Sequence, residues 1–343
     1  MIQPRSWILT DPGRFVPDNS EEPILSPMLV RLRPAYCGIC GSDLHSYKGK
    51  HPMVHPPIIL GHEISATISE VGSETGLNIP VDSPVVVLPS VPCGECYQCR
   101  HGREHICSRL KVIGNVGLNG ALSHYVDVPA RSVVPIPPDM DLARAALVEP
   151  TAVAVHALKR MVYEEGGLVI IGAGPIGLLT ALVAKAQGID PVSILDIRDG
   201  RLRAAQNLGL DNVLKSTDSD LVEKIYTIHP DGPGAVYDCV AVSTTINLAL
   251  NVARKGTSVV LAGVPEDPLN MDAILIQDRE LTVVGTLMYN VLDFQEAIEL
   301  IYRNRIPDGI VTKIVPFEDV PGVFSQLAQD PGEDIKVLIK ISN

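Results

Sequence analysis

Residues 166–188 read GGLVIIGAGPIGLLTALVAKAQG. A short apolar stretch, Leu168 to Ile171, leads into Gly172-Ala173-Gly174-Pro175-Ile176-Gly177, and small and branched apolar residues continue to Ala184. The uncharged length alone would suit a membrane span. The glycines cut it in the middle, so a strand, a tight turn and a helix account for it better. In the pattern G-x-G-x-x-G, Gly172 allows the turn, Gly174 lets the backbone approach a pyrophosphate, and Gly177 lets the helix pack close on the strand. Pro175 and Ile176 open the helix, whose free N–H groups and positive dipole end suit a phosphate. The next apolar run, SILDIRD, ends at Asp196, about twenty residues on, where an acid binds both ribose hydroxyls. A carboxylate there repels a 2′-phosphate, so NAD is expected over NADP. Arg198 is the counter-argument, because an arginine accepts that phosphate, and Arg201 completes the candidate cofactor residues. A glycine turn in a purely structural unit is the competing reading, and the acid at the right distance weighs against it.

Working outward, the same character fills the middle of the chain. TAVAVHALKRM and GRLRAAQNLG read as helices, while AVYDCVA, TSVVLAGVP and ELTVVGTL read as apolar strands. Strands alternating with helices predict a parallel sheet covered on both faces. Before Pro150 the pattern differs. MLVRLRP, EISATISEVG, SPVVVLP and SHYVDVP are short β-like runs broken by Pro and Gly. After Tyr289, FQEAIELIYRNR is an amphipathic helix, and IKVLIKIS is a closing strand that is expected to return to the first half.

The 343 residues exceed one ordinary core and suggest two domains. Apolar residues at 46% and charged residues at 20% describe a globular chain rather than a disordered one. A net charge of -12 without a basic patch argues against a nucleic-acid partner. The first residues lack a signal-peptide core. Seven cysteines form an odd count in such a chain, which argues against a disulfide framework and for a reducing cytoplasm.

Four of those cysteines lie close together. Cys93, Cys96, Cys99 and Cys107 read C-x2-C-x2-C-x7-C. Four thiolates with no spare position suit a closed, structural zinc; an iron–sulfur site and reduced metal-free thiols are the alternatives. Earlier in the chain stand Cys40, the pair His62-Glu63, and Glu149 just before Pro150. One thiolate, one imidazole and one or two carboxylates suit a catalytic zinc that keeps a position open for substrate. Singly, each is ordinary: a cysteine before glycine is usually packing, and a His-Glu pair is usually a polar turn.

GICGSDLH, LGHE, CGECYQC with its later cysteine, VEP and GAGPIG stand in the order and spacing of the zinc-dependent medium-chain dehydrogenases, which the chain resembles from about Val30 onward. The resemblance implies an α/β protein: a GroES-like, β-rich catalytic domain from 1–150 and 289–343, and a Rossmann domain with a doubly wound parallel sheet over 151–288. The zinc lobe would span about 90–110, and the active site would lie in the cleft between the domains. By the same resemblance Cys40 and His62 are zinc ligands, and Glu63 is a direct or exchangeable one. Glu149 stands where classical alcohol dehydrogenases have a second cysteine, which resembles the polyol (sorbitol) and threonine dehydrogenase branch. Ser42 and His45 match the proton relay, Asp43 matches the acid that orients His62, and Cys37 matches no ligand. Tyr47, Lys48, Tyr289 and Asn290 are pocket positions on the same basis. The implied activity is oxidation of a secondary alcohol (a polyol, sugar alcohol or sugar derivative) by NAD in a homodimer or homotetramer. Threonine, a vicinal diol, and a non-catalytic zinc-binding role on this scaffold are the alternatives.

Overall fold

The proline-broken runs of the first half become short strands gathered around one long strand, Leu29–Gly38. In the computed structural model, which describes residues 4–162 and 165–342, this strand pairs antiparallel with three others. Val126–Pro129 takes its beginning, Glu63–Val71 runs along its length, and Lys336–Lys340 takes its end. The register against Glu63–Val71 shifts between Arg31 and Leu32 and between Pro34 and Tyr36. Pro34 has no N–H to give to a ladder, and a bulge is where a strand tolerates that loss while it bends. The seven-stranded sheet is completed by Pro84–Val87, Val133–Pro135 and Val311–Pro316. Val30, Leu32, Ile64, Ile68, Val85, Val87 and Ile339 are buried in its core. A small sheet of Ser90–Val91, Lys111–Ile113 and Gly117–Leu118 flanks the cysteine segment.

The middle of the chain forms six parallel strands in the order Asn212–Lys215, Val192–Asp196, Leu168–Ile171, Ala235–Asp238, Ser258–Leu261, Thr282–Gly285. Numbered along the chain from Leu168–Ile171, that order is the doubly wound 3-2-1-4-5-6, which reverses direction beside the first strand and leaves a crevice at the carboxyl ends. Leu168–Ile171, Val192–Asp196 and Ala235–Asp238 are buried at every position, as a sheet covered on both faces requires. Helices Pro175–Ala186, Asp199–Asn207, Leu221–Ile228, Ser243–Val252 and Ala273–Asp278 connect the strands. No helix among the described residues is long and apolar enough to cross a membrane.

Two units result, Met1–Glu149 with Val311–Asn343, and Pro150–Ile310. The return to the first unit therefore comes at Val311 and not at 289. Helix Val291–Tyr302 stays with the parallel sheet because Asp293 on its first turn is bound from helix Val148–Arg160: His156 Nδ1 lies 2.7 Å away and Lys159 Nζ donates at 2.8 Å. Burial works to raise the Asp293 pKa, but these partners and the Asn290 backbone outweigh it and hold the carboxyl at about 2. A shift from apolar strand to amphipathic helix looks like a domain crossing in a sequence, whereas the ion cluster that anchors the helix is visible only in three dimensions.

Candidate functional site

The cysteine segment folds on itself through one turn of helix at Tyr97–Arg100 and a short 3-10 turn at Glu104–Ile106. Its Sγ atoms lie 3.4 Å apart for Cys107–Cys93, 3.5 Å for Cys96–Cys99, 3.7 Å for Cys96–Cys107 and 4.0 Å for Cys93–Cys99. A tetrahedron with Zn–S bonds of about 2.3 Å has edges of about 3.8 Å, and a disulfide needs about 2.05 Å. The four sulfurs therefore fit a tetrahedral metal and not a pair of disulfides. Cys93 N and Arg109 N both point at Cys107 Sγ at 3.3 Å. Backbone N–H groups of Cys99 and Ser108 pull the Cys96 thiol down to about 5. Donors of this kind favour the thiolate that a metal requires.

The second cluster is assembled from distant segments. Cys40 caps helix Gly41–Tyr47, His62 follows the tight Gly61, and Glu63 opens strand Glu63–Val71. Ligand atoms of Cys40, His62 and Glu63 all lie within 4.8 Å of one another. Asp43 Oδ2 accepts from Cys40 N at 2.9 Å, and its Oδ1 stands 3.4 Å from His62 Nδ1. That contact sets the Nδ1 side of the ring against the acid, so Nε2 is the nitrogen that would be open to a metal. Burial opposes charge on His62, but Asp43 and Cys40 raise its pKa well above the usual value. A buried imidazole beside a thiol and a carboxylate is a donor set suited to a divalent cation, which would displace the imidazole proton on binding.

A residue that the sequence reading missed sits inside this cluster. Lys336, on the closing strand, is 1% exposed; its Nζ donates to both Glu63 oxygens at 2.6 and 2.8 Å and to Ile39 O at 3.1 Å. Burial opposes its charge, and Glu63 first, then Cys40 and Glu149, outweigh that and raise its pKa. As a ligand, Glu63 would use a lone pair that Lys336 leaves open, since each carboxylate oxygen has two. Glu149 is buried close enough to act on Lys336, yet lies outside the 4.8 Å set of three. Gly38 explains where the carboxylate fits. It faces Glu63 across the sheet, and a Cβ there would lie 1.8 Å from Glu63 Oε2. IKVLIKIS carries no local sign that its first lysine points into a metal-like cluster.

Ser42 and His45 lie on the Cys40 helix, and Ser42 Oγ accepts from Asn115 Nδ2 at 3.3 Å. Of the residues named as pocket positions, Tyr47, Tyr289 and Asn290 are engaged in packing or capping. Tyr47 is buried, stacks on Phe15 and donates its hydroxyl to Gly13 O at 3.1 Å. Tyr289 is buried against Phe294. Asn290 caps helix Val291–Tyr302 by accepting from Asp293 N at 3.0 Å, and Lys48 is exposed at the end of its helix. Cys37 is fully buried packing.

In the second unit the glycine turn is built as its pattern demands. Gly172 has φ +103°, and a Cβ at Gly177 would sit 1.8 Å from Gly172 O. A Cβ at Gly174 would meet only Arg201 Nη1, at 3.6 Å, so this side of the turn is open backbone. Pro175 and Ile176 begin the following helix. Asp196 accepts from Ala173 N and Arg198 N, both at 2.8 Å, and lies 4.0 Å from Arg201 Nη1. An open glycine backbone at a helix N-terminus, with a buried carboxylate beside it, fits a dinucleotide.

Comparison with known proteins agrees with both halves. Residues 26–138 match the family described as the alcohol dehydrogenase GroES-like domain, and residues 175–303 match the zinc-binding dehydrogenase family. The chain is 34% identical to L-idonate 5-dehydrogenase of Vitis vinifera, over 93% of this chain and 90% of that one. It is 31% identical to sorbitol dehydrogenase of Bacillus subtilis, over 94% and 92%. The crystal structure of galactitol-1-phosphate dehydrogenase from Escherichia coli superposes with a TM-score of 0.89 at 26% identity, covering 98% of this chain and 99% of that one.

Proposed function

The chain belongs to the zinc-dependent medium-chain dehydrogenases, in their polyol branch, and from that premise we propose that it oxidises a secondary alcohol of a polyol or sugar derivative to a ketone with NAD. The observation that carries this reading is the set of half-buried Cys40 with buried His62 and Glu63, and Asp43 behind the imidazole. Cys40 and His62 would hold a catalytic zinc, with Glu63 and Glu149 as carboxylates at hand. Cys93, Cys96, Cys99 and Cys107 would hold a structural one. When bound, zinc lowers the pKa of an oxygen donor, and the nicotinamide takes up the hydride.

The side chains do the rest. Asp43 holds the His62 ring in one orientation. Lys336 compensates the buried charge of Glu63 and keeps that carboxylate within reach of the cluster. Ser42 takes the proton of the alcohol hydroxyl, and His45 leads it outward. Gly172, Gly174 and Gly177 give a close backbone approach to the pyrophosphate, with Pro175 and Ile176 at the helix N-terminus and Arg201 beside the turn. Asp196 favours NAD, because a 2′-phosphate would meet a buried carboxylate. The four sulfurs, at thiol rather than disulfide separations, fit a reducing, cytoplasmic location. The edge strand Thr282–Gly285 offers open backbone groups to a second copy, consistent with a homo-oligomer and checked by size-exclusion chromatography with light scattering.

The test is NADH formation by zinc-loaded protein across polyols, sugar acids, vicinal diols and threonine. Turnover with one class, preferring NAD over NADP by about tenfold or more, supports the reading and names the substrate. Silence across the panel with both metal sites filled would leave a binding protein on a dehydrogenase scaffold.

A further inference from the structure

Proton transfer through Ser42 needs a hydroxyl that accepts on one side and donates on the other, and a hydroxyl has one O–H and two lone pairs. Among the described residues, Ser42 Oγ has one side-chain partner, Asn115, whose Nδ2 donates to it at 3.3 Å. We propose that Asn115 is a positioning residue for this proton transfer: its amide occupies one Ser42 lone pair, leaving one lone pair for the alcohol's proton and the O–H to pass on. The inference rests on the relay role given to Ser42 above.

The fold holds Asn115 in place firmly enough for this. The residue is 6% exposed and lies in the turn between strands Lys111–Ile113 and Gly117–Leu118. Its own N–H donates to Val112 O at 3.1 Å, Val112 N donates to Val116 O at 2.9 Å, and Gly114 N donates to Leu118 O at 2.9 Å. The turn is pressed onto Gly61, next to His62. Gly61 N donates to Gly114 O at 3.1 Å, and a Cβ on Gly114 would lie 1.9 Å from Gly61 O. A Cβ on Gly120 would lie 2.2 Å from the same oxygen and 2.3 Å from Gly114 Cα. Backbone thus packs on backbone, and the turn that carries Asn115 is registered against the segment that carries His62.

An amide at this position differs in kind from a carboxylate. A carboxylate accepts only, so it would take the Ser42 O–H and turn the proton away from its exit. In the step itself, the alcohol O–H bond breaks and its proton bonds to the remaining Ser42 lone pair. The original Ser42 proton leaves to His45 or water, and the carbon-bound hydrogen departs with its electron pair to the oxidised nicotinamide.

The experiment compares Asn115→Ala and Asn115→Asp in the wild-type and Ser42→Ala backgrounds, on zinc-loaded protein with matched zinc content and melting temperature. Steady-state kinetics are joined by NAD titration and by dye-detected proton release when the NAD-loaded enzyme meets tert-butanol, an alcohol with no hydride to give. Asn115→Ala is expected to lower kcat by about tenfold with KM changed less than about twofold, to slow proton release in parallel and to leave NAD binding intact. Asn115→Asp is expected to fall further. In the Ser42→Ala background, Asn115→Ala should add less than about twofold, because its effect passes through the missing hydroxyl. Equal losses in both backgrounds, or an Asn115→Asp enzyme with wild-type kcat and proton release, would overturn the inference. If Ser42→Ala slows turnover and neither Asn115 variant does, the relay stands and only Asn115 loses its role. If Ser42→Ala itself turns over normally, the relay reading fails first. The near-isosteric Asn115→Asp carries the test alone should the alanine variant not fold.

Discussion

The two candidate metal clusters are built in opposite ways. The cysteine lobe takes all its ligands from positions 93–107, on short turns at a partly exposed surface. The second cluster draws Cys40 from a helix start, His62 and Glu63 from a strand start, and Lys336 from a strand about 270 residues later, with Lys336 and Glu63 both buried. A local cluster needs a metal to hold it, because four thiols on turns bury little apolar surface. A distributed cluster is held by the sheet around it, and its electrostatics are tied to the stability of the whole unit.

That contrast is easiest to break at Lys336. Lys336→Met leaves the Glu63 carboxylate buried and uncompensated, and urea unfolding should show a loss of about 3–5 kcal/mol. A Lys336→Met/Glu63→Gln double variant should recover much of it. Equal losses in single and double variants would show that Lys336 matters for packing and not for charge. Gly38→Ala probes the same pair through space. Its methyl would fall on Glu63 Oε2, costing about 1–3 kcal/mol as the carboxylate is displaced. A thermally unchanged Gly38→Ala protein would mean that the carboxylate has another place to go.

The local cluster should respond differently. Cys99→Ser is expected to lower bound zinc from about two ions per chain to about one, measured by atomic emission, while NAD affinity stays within about twofold. Loss of NAD binding together with that zinc would contradict the local character of the lobe.

The Asp293 cluster is a third case, distributed but built from two helices and the backbone cap of one of them. Its folded pKa of about 2 lies below the ordinary aspartate value of 3.8. The stabilisation is therefore fully present above the unfolded value and is lost as pH falls through the folded one. In urea titrations, the stability gap between wild type and Asp293→Asn should be constant near neutrality and shrink below about pH 4. A gap that stayed constant down to pH 3 would remove the ion cluster as its cause.

These cases show why some of the protein was legible early. The turn at Gly172, Gly174 and Gly177 with Asp196 beside it could be read because it is set by backbone geometry within one strand-turn-helix unit. The gathering of the four cysteines could be read because their close spacing keeps the sulfurs within one short segment. Cys40, His62 and Glu63 were recognisable only as parts of a resemblance, since nothing in GICGSDLH or LGHE states that the two segments touch. Tyr47 and Tyr289 could not be placed from sequence, because an aromatic ring that packs in a core and one that lines a pocket have the same local sequence. The domain return at Val311 was hidden as well, behind a helix whose allegiance depends on Asp293 meeting His156 and Lys159.

By itself, then, the sequence determined whatever is encoded over short spans: the parallel sheet from alternating apolar strands and helices, the dinucleotide turn from its glycines, and the thiolate lobe from its spacing. Only the tertiary structure decided that Lys336 compensates Glu63, that Gly38 leaves room for that carboxylate, and that Asn115 reaches Ser42. Each of these depends on distances between residues far apart in the chain. Those distances are set by sheet register and close backbone packing, which no local pattern records.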